Sequence, residues 1–286
     1  MPKPRSEQRR RGRLREGTDV AVSEIWQSGK RAGAAKRKDF LAREEPLEIR
    51  VRGKSVAVTM RTPGHDAELA AGFLLSEGVI RERGDVVEIA PCATASAGDA
   101  ENILNVFLAP AIELDLARLA RHVFASSSCG ICGKASIDAV HQHFAPVESN
   151  LKVSRKTIAN LPEQMHRKQK LFAKTGGAHA AAIFDMRGKM IVIREDVGRH
   201  NAVDKVLGHC FLRGSLPLEK HLLLVSGRAS FEIMQKALAA RVAIICAVSA
   251  PSSLAVEFAE ESQQTLIGFL RDGEMNIYTN PNRIEG

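Results

Sequence analysis

The sequence predicts an α/β protein in which a smaller α+β module precedes a larger layered-sheet domain. Three observations carry this. From Ala180 onward, short apolar runs alternate with amphipathic helical stretches, the pattern of a sheet with helices on both faces that is parallel in at least its second half. Before residue 125, apolar and polar residues alternate over strand-length segments with one short helix between them, as in a small sheet with one wet face. The 286 residues, 44% hydrophobic and 26% charged, have an ordinary globular composition and can bury a substantial core.

The first segment is read differently. Residues 1–38 hold 12 Lys/Arg against 4 Asp/Glu, the whole net charge of +8, which leaves 29 of each sign in the remainder. Runs such as Arg9-Arg10-Arg11 and Lys36-Arg37-Lys38 offer little apolar surface to bury, so residues 1–43 are expected to be a disordered basic tail. Trp26 stands alone, without the interleaved aromatics of a nucleic-acid platform.

Order is expected from Glu44. Residues 47–60 alternate on both sides of Gly53-Lys54, a β-hairpin signal. After the turn Thr62-Pro-Gly-His65, Asp66 is expected to cap a helix over residues 68–75 that stops at Gly78. Strands at 86–89 and 103–108 complete an α+β module assigned to residues 44–124. A helical pattern follows at 135–143, then a helix around 162–173. Residues 180–184 and 190–194 flank Asp185-Met-Arg-Gly188 as a second hairpin. A helix over 201–212 buries Val203, Val206, Leu207, Cys210 and Phe211 on one face. Strands at 222–225, 243–248, 265–269 and 276–278 then alternate with helices at 231–239 and 254–261.

The longest apolar runs fall far short of the ~20 residues of a membrane span, and the charged N-terminus lacks a signal-peptide core. Five cysteines with a single CxxC fit a reducing compartment, the cytoplasm, better than a disulfide framework.

That CxxC is Cys129-Gly-Ile-Cys132, set in small residues that suggest an exposed loop. Two thiols at this spacing reach one sulfur atom: one can carry a persulfide while the other polarises or resolves it. Lys134 would favour the thiolate. Half of a zinc site is the plainer account, but no second Cys/His pair has suitable spacing. A serine run in place of a strand weakens the thioredoxin-like reading. Cys92, Cys210 and Cys246 are isolated, the last two on apolar faces.

Three junctions of the second half are rich in Gly, Ser and charge: residues 194–205, Ser226-Gly-Arg-Ala-Ser230 and Ser249-Ala-Pro-Ser-Ser253. Ser230 is placed to cap a helix, and Pro251 suits a first helical turn. Such strand-to-helix junctions gather on one sheet edge and expose N–H groups to anions, with Arg199 and Arg228 adding charge. A pocket for a phosphorylated ligand fits. So does an internal salt-bridge network of Glu195, Asp196, Arg199 and Asp204. His179, between a Gly-Gly turn and a strand, is placed to line a site. The zinc-deaminase signature H-x-E followed by P-C-x-x-C is broken here, because residue 181 is alanine and the CxxC precedes the histidine.

Taken together, Ser128-Cys-Gly-Ile-Cys-Gly133, Thr175-Gly-Gly-Ala-His179, the block from Glu195 to Lys205, Ser226 to Ser230, Ser249 to Ser252, and Gly268-Phe-Leu-Arg271 through Asn276-Ile-Tyr-Thr279 resemble the formate dehydrogenase accessory sulfurtransferase (FdhD) family from about Glu45 onward. The resemblance implies a cytidine-deaminase-like α/β domain, here residues 125–286, without the deaminase zinc. It implies a sulfurtransferase that takes persulfide sulfur from a cysteine desulfurase. The sulfur passes to the molybdenum bis(molybdopterin guanine dinucleotide) cofactor before insertion into formate dehydrogenase. Cys129 matches the persulfide carrier and Cys132 the assisting cysteine. The cofactor-contacting segment falls on Phe269, Leu270, Arg271, Asp272, Gly273 and Glu274. We add Arg199 and Arg228 from the loop reading and His179 from its place between a Gly-Gly turn and a strand, with Arg199, Arg228 and Arg271 on phosphates. The resemblance further implies a homodimer. Rival classes are a cofactor chaperone that needs no cysteine and a zinc-dependent or nucleic-acid-binding regulator.

Overall fold

A computed structural model describes residues 19–29, 32–92, 100–112 and 144–286. The larger part is built on six strands: β8 (His179–Asp185), β9 (Met190–Asp196), β10 (His221–Val225), β11 (Ile244–Ala247), β12 (Thr265–Arg271) and β13 (Glu274–Ile277). Their spatial order is β13-β12-β11-β10-β8-β9. The three central strands β10, β11 and β12 run parallel, while β8 and β13 join antiparallel. Helix α5 (Arg199–Leu212) packs on β8 and β9, and α6 (Phe231–Ala239) and α7 (Ser253–Glu261) are the crossovers of the parallel strands. Leu222 to Val225 and Ile244 to Ala247 are buried throughout, which is why they read as continuous apolar runs rather than alternating ones.

The smaller sheet has the order β4-β3-β6-β5, from β3 (Glu45–Val51), β4 (Lys54–Arg61), β5 (Val86–Pro91) and β6 (Ile103–Leu108). The hairpin turn falls on Arg52 and Gly53, with φ of 52° and 75°; such a doubly left-handed pair matches the twist of the strands it joins. Helix α1 (Asp66–Ser76) begins one residue earlier than a capping Asp66 requires. His65 takes the cap position with no side-chain bond, and the Asp66 carboxylate instead holds Arg61 at 2.9 and 3.0 Å.

The two sheets share one core. Helices α1 and α5 cross at Gly72 and Gly208: a Cβ on Gly72 would lie 1.9 Å from the Asp204 carbonyl oxygen, and one on Gly208 1.8 Å from that of Glu68. Residues 44–92 and 100–112 therefore form a layer of a common interior.

The expected tail is corrected over its second half. Strands β1 (Val20–Gly29) and β2 (Ala32–Ala42) pair antiparallel, from Val20↔Ala42 to Gly29↔Ala32. Composition argues against a buried core here, yet a hairpin satisfies its backbone groups locally, helped by a Lys36–Glu24 ion pair across the strands. Its base rests on α4 (Lys170–Thr175), where Lys174 Nζ sits 4.8 Å from the Phe40 ring centroid.

The helix expected around 162–173 is two pieces, α3 (Leu161–His166) and α4, after a short α2 (Arg155–Ala159). Glu195 reaches from β9 to accept the Leu171 and Phe172 amides at 2.9 and 2.8 Å, capping α4 with a carboxylate from outside it. Pro251 lies before α7 rather than in its first turn; Ser252 is the cap, its Oγ 3.2 Å from the Ala255 amide. Strands β7 (Val153–Ser154) and β14 (Ile284–Glu285) pair to tie down the C-terminus. Residues 1–18, Cys129, Cys132, Lys134 and the helical pattern at 135–143 lie outside the described residues.

Candidate functional site

A cavity of about 990 Å³ opens where the ends of β8, β10 and β11 face α3 and α4. Its walls include His179, Ser226, Val248, Phe172, Gly176 and Gly177, with Arg271, Asp272 and Gly273 on one side. A second cavity, about 480 Å³, lies between the smaller sheet and the amino ends of α5 and α6. Met60, Phe73, Arg199, His200, Glu232 and Lys236 are among its walls. His179 and Val197 line both. The two cavities form one cleft divided by that ridge.

His179 is half-buried at the first position of β8. A side chain on Gly227 would come 3.3 Å from its Nδ1, so glycine there leaves room for the ring. Burial, and then the Arg199 and Arg228 guanidiniums, hold the His179 pKa below the usual histidine value, so the imidazole is neutral near pH 7. Arg199 is the first residue of α5. Its Nε is buried with no protein partner among the described residues, a donor left for a ligand or water. Arg228 is exposed on the Ser226–Ser230 loop.

The C-terminal segment divides. Arg271, Asp272 and Gly273 line the larger cavity; Asp272 and Gly273, at φ of 54° and 80°, make the tight turn between β12 and β13. The Arg271 guanidinium is 6.0 Å from the Phe269 ring centroid. Phe269 and Glu274 are exposed beside the cavity and do not line it. Leu270 is fully buried: its side chain belongs to the core, and any contact it makes with a ligand must be through backbone.

The block from Arg194 to Lys205 is largely structural. Asp196 pairs with Lys205 at 2.7 Å with both side chains out of solvent, and Asp204 pairs with Lys236 at 2.8 Å. Arg194 holds Glu68, which also contacts His209. The expected internal network does not form as such: Asp196 pairs with Lys205 of the same block, Asp204 pairs with Lys236 on α6, Glu195 accepts the backbone amides of α4, and Arg199 joins none of these.

Sequence reasoning missed His200 and Lys236. Burial, then Lys236 and Arg199, push the His200 pKa down to about 4, and its Nε2 lies 3.4 Å from Ser230 Oγ. Ser230 occupies the cap position of α6 but makes no cap bond; its hydroxyl turns to the cleft histidine. His200 stood inside a motif already singled out, whereas Lys236 gave no signal on an amphipathic helix.

Cys92, Cys210 and Cys246 are buried. Burial raises the Cys210 and Cys246 thiols to about 11 and about 12, so neither supplies a thiolate at neutral pH. Among the described residues no group of three or more His, Cys, Asp or Glu is placed to hold a metal, and no helix is long and apolar enough to cross a membrane.

Residues 42–285 match the model of the FdhD/NarQ family. Proteins of Mycobacterium bovis and Mycobacterium tuberculosis described as sulfur carrier protein FdhD are each 52% identical over 87% of this chain and 92% of their own length. A protein of the same description from Saccharolobus solfataricus is 44% identical over 88% of this chain and 93% of its own. In fold, the chain is similar to the crystal structure of a protein from Desulfotalea psychrophila described as a formate dehydrogenase accessory protein. That match has a TM-score of 0.76 and 23% identity, and spans 93% of this chain and all of that one. The extent of these matches and the motifs along the cleft agree: this chain belongs to the FdhD/NarQ family.

Proposed function

We propose that the protein is a sulfur carrier and sulfurtransferase for formate dehydrogenase. In this reading the Cys129 thiolate attacks the outer sulfur of a cysteine desulfurase persulfide. A new S–S bond forms on Cys129 and the donor's thiolate leaves. Cys132 polarises or resolves the persulfide. The sulfur then passes to molybdenum bis(molybdopterin guanine dinucleotide), the substrate of the transfer, before its insertion into formate dehydrogenase.

The single observation that carries the reading is the cleft. Its two cavities meet at a neutral histidine, His179, and Arg199, Arg228 and Arg271 stand around it. Guanidiniums recognise phosphate by charge-assisted, bidentate hydrogen bonds, and a cleft of this size suits a large nucleotide-bearing ligand. The relatives described as sulfur carriers support the sulfur chemistry.

We read the larger part as a cytidine-deaminase-like sheet without zinc. Position 181, where the deaminase signature needs its acid/base glutamate, is Ala181, fully buried in β8. Cytoplasmic residence and a homodimer belong to the same proposal.

Intact-mass measurement after incubation with a cysteine desulfurase and cysteine tests it, comparing the protein with Cys129→Ala. The expected result is a reductant-sensitive gain of sulfur that the variant lacks. No gain in the unaltered protein, with a competent desulfurase, rejects the relay and leaves a cofactor chaperone.

A further inference from the structure

We propose that the buried Asp196–Lys205–Asn201 cluster is the positioning device of the cleft, fixing the amino end of α5 so that Arg199 stands against His179. Asp196 is fully buried and uses both carboxylate oxygens. One accepts the Gly198 amide at 2.8 Å and Asn201 Nδ2 at 3.0 Å. The other accepts the Thr62 amide at 3.1 Å and pairs with Lys205 Nζ at 2.7 Å. Lys205 also donates to the Thr62 carbonyl at 2.8 Å, and Asn201 to that of Met60 at 2.8 Å.

Three segments are thereby pinned together: the end of β4, the end of β9 and the first two turns of α5. Asn201 and Lys205 are four residues apart and share a helix face. Gly198 completes the fit, since a Cβ there would meet Asn201 Nδ2 at 2.9 Å. Asp196 is also the cross-strand partner of His179. Neither Asp196 nor Lys205 lines either of the two cavities, whereas Asn201 lines the second, so the ion pair acts through its neighbours.

The energetics point the same way. A buried ion pair is seldom more stabilising than well-packed apolar residues of the same volume. An apolar pair cannot hold a loop on several sides by directional bonds. The segment so held, Val197 to Arg199, runs from the ridge between the two cavities into the wall of the second.

The binding arm of the test rests on the proposed phosphate contact of Arg199; the titration arm does not. In the full-length protein, His179 and His200 are titrated by imidazole NMR, with and without Asn201→Ala, a neutral exchange. His179 faces Arg199, Arg228 and Asp196; His200 faces Lys236, Arg199, Glu232 and His179. Displacement of Arg199 is expected to move both midpoints up toward the ordinary histidine value. Unchanged midpoints in the folded variant overturn the proposal.

In the second arm GDP binding is compared for the unaltered protein, Arg199→Ala, Lys205→Met and the double variant. About tenfold loss is expected in each single variant, and no further loss in the double. Additive losses overturn the proposal. Lys205→Arg, which returns a cation to Asp196, is expected to recover most of the affinity; if Lys205→Met does not fold, Asn201→Ala takes its place in the cycle. Absence of GDP binding by the unaltered protein rejects the nucleotide reading, and the histidine titrations then decide the positioning role.

Discussion

The carbonyl oxygen of Asp204 occupies the space where a side chain on Gly72 would begin, 1.9 Å from the position of its Cβ. The obstacle is backbone and cannot rotate away. Gly72→Ala must therefore separate α1 from α5 and disturb the core between the two sheets, at a cost of about 3 kcal/mol or more. Gly208→Ala meets the Glu68 carbonyl in the same way. Urea unfolding should show both variants with sharply lowered midpoints, or no soluble folded protein. Wild-type midpoints would mean that the helices can part freely.

Lys205→Met leaves Asp196 charged and buried without its cation. Removing one partner of such a pair costs about 3–5 kcal/mol, far more than the loss of an exposed ion pair. As a contrast, Arg167→Ala removes the partner of Glu163, a pair exposed on α3 and its flank, and is expected to cost under ~1 kcal/mol. Thermal melts of the two variants side by side measure the difference.

Arg199→Ala should separate binding from stability. With its Nε unpartnered in the protein, removal is expected to change stability little. With a phosphate contact at Arg199, affinity for a guanine nucleotide falls by about tenfold, and by less as salt rises. Calorimetric titration at two salt concentrations reads both effects.

The protein should lose stability on mild acidification. The folded His200 pKa is about 4, below the unfolded value near 6.5, so the unfolded chain binds the proton first. Stability is intact above ~pH 6.5 and is lost as pH falls toward ~4, by up to about 3 kcal/mol from this residue. His179 is shifted in the same direction. His200→Gln is expected to flatten the dependence between pH 6.5 and 4 in denaturant titrations; an unchanged slope would place the acid sensitivity elsewhere.

Thiol labelling should separate the cysteines. Cys210 and Cys246, buried and with raised pKa values, are expected to resist a maleimide at pH 7 until the protein unfolds. Peptide mapping of native and denatured samples identifies the modified positions. Rapid native labelling of either would contradict their placement in the core.

The order of strands and helices from residue 179 onward was legible in the sequence because each element carries its own period. Continuous apolar runs marked the buried β10 and β11, and the one-faced spacing from Val203 to Phe211 marked α5. Part of the cleft was also visible, since Arg199 and Arg228 belong to junctions richer in glycine and charge than a turn requires and His179 follows a Gly-Gly turn; Arg271 was marked only by the family resemblance. The hairpin over residues 20–42 was not legible: its strands are held by backbone pairing, to which a composition argument is blind.

What the sequence determined by itself was local: element type, the glycine positions, and the motifs that mark the family. Tertiary structure alone decided which charges were structural and which faced the cleft. Asp196 and Arg199 are three residues apart, with nothing in their order to distinguish them. Asp196 is taken up by Thr62 and Lys205, and Glu195 by the amides of α4, while the Nε of Arg199 is left unpartnered. The Thr62 amide that helps hold Asp196 comes from 134 residues away in sequence, and the α4 amides that hold Glu195 from 24 and 23; a linear pattern carries no record of such pairing.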